Sequence, residues 1–266
     1  MSKTIALLSA ALVCLLPGST ASIHAQETPA HPDFTGVYYT FNPDAAARGR
    51  AAAPPETAGA GGRAAAAAPP RPVAVIDGRA GRPATAPKLT AEYLATWEVM
   101  RKSRMSGSSE FDPNAKCLSA GMPSMMGMGY GMEIQHTKDK VTIYGELNDV
   151  YRRIFLDGRK PSQRVLDDPT YAGYSTGHWE GETLVVDTVA VRDDTLLDLF
   201  SPHSDRMTVR ERIRFTSPGV LEDRITTTDP KALVEPFAQV RTYRKASPPN
   251  DELREFSCAE GLASVK

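Results

Sequence analysis

The sequence predicts an all-β domain, an antiparallel up-and-down barrel with one helix ahead of most of its strands. Three observations lead there. After Gly131 apolar residues recur at every second position rather than at helical spacing. The resulting short runs are separated by tight turn signals, Lys138-Asp139, Asn148-Asp149, Glu180-Gly181-Glu182 and Pro218-Gly219. Successive runs are joined by short links, and a meander of that kind loses its exposed edges by closing into a barrel. An open β-sandwich is the alternative.

The chain opens with Lys3, an apolar run from Ile5 to Leu16, and a break at Pro17-Gly18 followed by small residues. This is the pattern of a secretory signal peptide over residues 1–25. Cleavage after Ala21 and cleavage after Ala25 both fit. The run is shorter than the roughly 20 apolar residues a membrane-spanning helix requires, and no later stretch comes closer. Cys14 follows Val13 rather than a small residue, which argues against a lipid anchor. The expected location is periplasmic or secreted, without membrane insertion.

Residues 26–44 hold the first strand, Gly36 to Phe41. Residues 45–87 are dominated by Ala, Pro, Gly and Arg, with too few large side chains to offset their ordering entropy. They are expected to be a disordered insertion that proteases cut first. The remainder of the single domain is residues 88–266. It begins with the helix, Thr90 to Arg104, where Tyr93, Leu94, Trp97 and Met100 fall at helical spacing behind Thr90 as N-cap. The later strands are expected at Met132–Thr137, Lys140–Leu147, Val150–Leu156, Ser175–Glu180, Thr183–Val191, Arg206–Thr216, Val220–Thr228, Ala238–Arg244 and Glu252–Cys258.

Two cysteines remain after signal removal, Cys117 and Cys258. In an oxidising compartment one disulfide is the simplest outcome, joining the front of the domain to its last strand. Two buried free thiols are the alternative. The formal net charge of −1 gives no footprint for nucleic acid, so the expected partner is a small molecule. The oligomeric state is left open.

Charge on an apolar face singles out the candidate site. From Arg206 to Phe215 one face reads Met207, Val209, Glu211, Ile213 and Phe215, which buries the Glu211 carboxylate. A buried carboxylate needs a partner. Arg152 shares a face with Val150, Ile154 and Leu156 and is the natural one. Asp187 lies among valines on both faces and is ambiguous. A structural ion pair between Arg152 and Glu211 is the plain alternative to chemistry. The Met-rich, Gly-rich segment 121–132 suits a lid over a pocket or a core loop, with copper(I) the remote option because no Cys or His is interleaved. His136, His178 and His203 lack metal-ligand spacing, so no metal is assigned. No nucleophile-elbow motif is present.

Several of these segments together resemble a large, mostly uncharacterised group of exported bacterial proteins, numerous in sphingomonads and acidobacteria. The resemblance is carried by Phe34-Thr35-Gly36-Val37-Tyr38, Cys117 with Gly121-Met122-Pro123, Glu133-Ile134-Gln135, Arg152 with Asp157-Gly158-Arg159, the run Ser175 to Thr188, Pro202-His203-Ser204-Asp205, Glu211-Arg212, Asp229-Pro230 and Cys258-Ala259-Glu260-Gly261. Tyr38 stands where the group usually has Trp, Glu182 where it usually has Asp, and Leu262 departs from its terminal motif. The Gly-x-aromatic opening and the sequential strands are also similar to lipocalin-type barrels. Neither resemblance implies an activity.

The leading expectation is an exported small-molecule enzyme using acid-base chemistry without an organic cofactor, of lyase, isomerase, hydratase or hydrolase type. Glu211 or Asp187 would be the base, His203 the acid or proton shuttle, and Arg152 the stabiliser of negative charge. Glu133, Glu146, Trp179, Met122 and Met126 would line its pocket in the barrel. On this reading Glu211 faces a cavity, and Glu211→Gln leaves stability nearly unchanged. A non-catalytic periplasmic carrier and a structural envelope protein are the alternatives.

Overall fold

The computed structural model describes residues 31–41, 86–198, 200–256 and Cys258. The expected signal peptide and residues 45–85 of the expected insertion lie outside these. The period-two runs form nine strands: β1 Gly36–Thr40, β2 Met132–Thr137, β3 Lys140–Gly145, β4 Val150–Phe155, β5 Tyr174–Glu180, β6 Thr183–Val189, β7 Thr208–Ser217, β8 Val220–Thr228 and β9 Phe237–Lys245. Each pairs with its neighbour in sequence, and β1 pairs with β9, closing a barrel. The sandwich alternative is not realised.

The meander is not antiparallel throughout: β4 and β5 run parallel. An odd number of alternating strands would bring first and last together in parallel. The single parallel step reverses the remaining strands, so β9 meets β1 antiparallel. That step needs a crossover longer than a hairpin turn. Residues 156–173 supply it, with the short helix α2, Gln163–Asp167. Only Ile154↔Ser175 and Phe155↔Thr176 pair across the seam, whereas β7 and β8 are paired along nearly their whole length.

The helix appears as expected, α1 at Ala91–Met105 with Thr90 at its N-cap position. The Thr90 hydroxyl does not cap the first turn; it donates to the Lys231 carbonyl at 2.9 Å and ties the helix to the β8–β9 connection. Trp97 and Met100 are its buried residues.

The expected strand at Glu252–Cys258 is absent: residues 251–256 have no strand conformation. Closure of β1 on β9 leaves no free edge for it to pair with. Leu253 instead packs against Gly131, and Phe256 meets Tyr130 edge-on with ring centroids 6.0 Å apart. The expected disulfide forms between Cys117 and Cys258, with Cα atoms 5.6 Å apart, and fastens this strandless tail to the segment before the Met-rich loop.

The interior is filled. Arg152, Tyr38, Tyr243, Phe34 and Met122 are among its largest fully buried side chains. A barrel of about eight strands is just wide enough for side chains to fill. At the hairpin end Phe34, His136, Trp179 and Phe215 form a plug, with Phe34 5.2 Å from Phe215 and 5.4 Å from Trp179 between centroids. At the other end lie α1, the Met-rich loop, and the β6–β7 and β8–β9 connections. The Met-rich loop is seated rather than hinged. A Cβ at Gly121 would come within 2.5 Å of Thr195, and one at Gly127 within 2.7 Å of the Arg241 guanidinium carbon. Met122 donates to the Tyr171 carbonyl, and Tyr243 Oη donates to the Met126 carbonyl at 2.7 Å.

Candidate functional site

Alternation places Glu211 of β7 inside the barrel between Val209 and Ile213, and Arg152 of β4 inside beside Ile154. They meet across the interior. Arg152 Nη1 donates to Glu211 Oε1 at 2.8 Å and Nη2 donates to Oε2. Two further guanidinium hydrogens reach Ser175 Oγ at 3.2 Å from Nε and Thr188 Oγ1 at 3.0 Å from Nη2. Burial works against the Arg152 charge, but Glu211 outweighs it and holds the guanidinium above its ordinary pKa. The pair is bidentate and fully buried, with two hydroxyls supporting the guanidinium, which is what a buried ion pair requires.

A second acid stands beside it. Asp223 of β8 is fully buried beside Glu211, to which its carboxyl can donate a hydrogen bond when it holds a proton. Burial first, and then the negative charge of Glu211, push its carboxyl well above the usual range, against the pull of Arg152 and Arg241. Tyr243, fully enclosed nearby, is raised by burial and by the same two carboxyls. Asp223 was readable from sequence: Leu221, Asp223, Ile225 and Thr227 share one face of β8, the same signal that marks Glu211.

The other expected catalytic residues do not converge on this cluster. Asp187 lies on the outer face of β6, because Leu184, Val186 and Thr188 take the interior; its carboxylate accepts from Arg210 Nε at 2.7 Å. His203 is buried in the β6–β7 connection, where Nδ1 donates to the Ser204 carbonyl at 3.0 Å and Nε2 sits 2.8 Å from the Thr195 hydroxyl. Burial lowers its pKa. Both ring nitrogens are engaged locally.

Nor do the expected pocket residues share a pocket. Glu133 lies on the outer face of β2, opposite the buried Met132 and Ile134, and accepts from Gln135. Glu146 accepts from the Gly131 N–H at the turn after β3. Trp179 is at the hairpin end, stacked between His31 and His136. Met122 and Met126 are core residues. The common reason is that the interior these residues were to line is occupied.

Among the described residues a concave site lies outside, at the parallel seam. Where β4 and β5 diverge, a cleft of about 560 Å³ opens. Tyr151, Arg153 and Phe155, the outward face of β4, form one wall, and Tyr171 of the crossover and Tyr174 of β5 form the other. Cys117, Leu118 and Ser119 close one end. Ser119, Asn148 and Val150 also line an inner cavity of about 30 Å³, whose floor includes Tyr243, the residue beside Asp223 and Glu211. The sequence reading missed this cleft because it follows from a break in strand pairing, which no local periodicity reveals.

Among the described residues no group of His, Cys, Asp and Glu is placed to hold a metal ion, and no helix is long and apolar enough to cross a membrane.

Fold and cleft together define a closed nine-strand β-barrel with one parallel seam and a cleft on its flank. No protein-family model matches the chain, and no curated protein does. Ten solved chains match. Among them is wild-type fluorescent protein UnaG, 18% identical, with 44% of this chain aligned to 72% of that one at a TM-score of 0.27. A point mutant of the same protein is 17% identical, covering 52% of this chain and 88% of that one at a TM-score of 0.28. A likeness this slight brings no function with it.

Proposed function

We propose that this protein is an exported carrier of a small, partly apolar molecule, bound in the cleft at the β4–β5 seam. The observation that carries the reading is the cleft itself. Its volume of about 560 Å³ falls in the range of small-molecule sites, roughly 300–1,000 Å³, and Tyr151, Phe155, Tyr171 and Tyr174 bring four aromatic rings to its lining. The buried acids support binding rather than turnover. Glu211 is held by two guanidinium hydrogen bonds, and no other expected acid or base faces it. A catalytic base must reach its substrate proton, and this one reaches Arg152.

The test is a thermal-shift screen of the mature protein against small lipids, terpenoids, aromatic acids and glycosides, repeated on Ala172→Trp. Ala172 lines the cleft, so the indole should fill it. Hits that raise the unfolding midpoint of the wild type and no longer raise that of Ala172→Trp support the cleft. Hits indifferent to the block place the ligand elsewhere, and product formation from any hit would return the protein to the enzymes.

A further inference from the structure

We infer that the ligand of the seam cleft is an aromatic carboxylate bearing a hydrogen-bond donor at the end remote from its acid group. The inference rests on the cleft being the binding site and adds the chemistry that the cleft selects.

The ring requirement comes from the walls. Tyr151, Phe155, Tyr171 and Tyr174 all line the cleft. Phe155 and Tyr174 face each other across the seam at 5.3 Å between centroids, and Tyr151 is braced by Tyr144 at 4.8 Å while staying 59% exposed. Arg159 stacks on Phe155 at 4.3 Å and Arg192 on Tyr171 at 5.0 Å, which fixes both rings. Fixed, partly exposed rings favour a flat aromatic guest, because little side-chain entropy remains to be lost on stacking.

The sign of the charge comes from Arg153. On the barrel's outer surface Arg210 is answered by Asp187, Arg212 by Glu180, and Arg214 and Arg224 by Glu222, while Arg244 of β9 stacks on Phe41 at 3.7 Å. Arg159 and Arg192 at the cleft rim are likewise paired, with Asp157 and Asp194. Arg153 lines the cleft with no ion-pair or hydrogen-bond partner among the described residues. The one acid in the lining, Asp149, accepts the Tyr144 hydroxyl. An unpaired guanidinium beside aromatic walls is suited to a carboxylate, which it binds through two parallel hydrogen bonds.

The donor requirement comes from the inner end. Asn148 is held in the left-handed region with φ 59°, and its Nδ2 donates to the Leu118 carbonyl at 2.9 Å and to Asn114 Oδ1 at 3.2 Å. Its Oδ1 is buried without a partner, and the residue lines both the cleft and the inner cavity. A buried acceptor in want of a donor favours a guest that brings a hydroxyl.

Isothermal titration calorimetry on the mature protein tests this with four probes. Para-hydroxycinnamate has ring, acid and donor; cinnamate lacks the donor, tyramine replaces the anion with a cation, and octanoate lacks the ring. Para-hydroxycinnamate should bind most tightly, with cinnamate weaker by several-fold and tyramine and octanoate weaker by about tenfold or more. Arg153→Gln should cost para-hydroxycinnamate about tenfold and leave tyramine unchanged. Tyramine or octanoate binding as well as the acid, or Arg153→Gln leaving the acid's affinity intact, overturns the ligand class. So does failure of all four probes. In each case the cleft survives as a site if some other screened molecule is still blocked by Ala172→Trp, and falls only if none is.

Discussion

Arg152 and Glu211 set the terms at the scale of single residues. Each is buried with the other as its principal partner, so removing either strands a charge in the barrel. Glu211→Gln and Arg152→Ala should each lower stability by about 3 to 5 kcal/mol, read from denaturant unfolding. Unchanged midpoints in both would mean that Glu211 is not held as a structural pair. Asp223 makes the opposite prediction. Its folded pKa is raised, while the unfolded chain titrates in the ordinary carboxyl range, so between those values the folded state binds the extra proton. Its contribution is therefore greatest at acid pH and is lost as pH rises through that window, at up to about 1.4 kcal/mol per pH unit. Asp223→Asn should flatten that part of the stability profile and raise the unfolding midpoint near neutrality; an unaltered profile would contradict the assignment. Alternation alone made Glu211 and Arg152 legible as buried charges, and the same signal in β8 marks Asp223, which the sequence reading passed over. It carried no sign of whether a void lay in front of them, because filling depends on Tyr38, Tyr243 and Met122 arriving from other parts of the chain.

Among the elements, strands with strict alternation, such as β7 and β8, are found where the sequence puts them, since a one-residue slip would turn their apolar face to solvent. The segment 252–256 misled because its short pattern resembles a strand while the sheet has no edge left for it. Asp187 misled for a related reason: with valine on both faces of its strand, only the sheet partners decide which side is inward, and Val186 pairs with the inward Glu211. The disulfide acts at this scale. It closes a span of 141 residues, and by loop entropy is worth about 4 to 5 kcal/mol less any native strain. Changing both cysteines to alanine should lower stability by an amount of that order while leaving the barrel's far-UV circular dichroism in place. Since Cys117 also lines the cleft, ligand affinity should fall with it; full stability without the bridge would show that the tail is fastened by packing alone.

For the whole molecule, an odd strand count forces one parallel seam, the seam pairs at only two positions, and the divergence makes the cleft. The barrel interior meanwhile is closed at the hairpin end by Phe34, Trp179 and Phe215 and seated at the other by the Met-rich loop. The site proposed for the ligand therefore lies on the barrel's flank rather than inside it. Hydrogen-deuterium exchange with and without the best ligand of the screen tests this most directly. Slower exchange is predicted in the peptides spanning 147–155 and 170–174, with the hairpin end around 31–37 and 176–183 unaltered. Protection confined to the hairpin end, or to the strands lining the interior while the seam peptides stay unchanged, would contradict it.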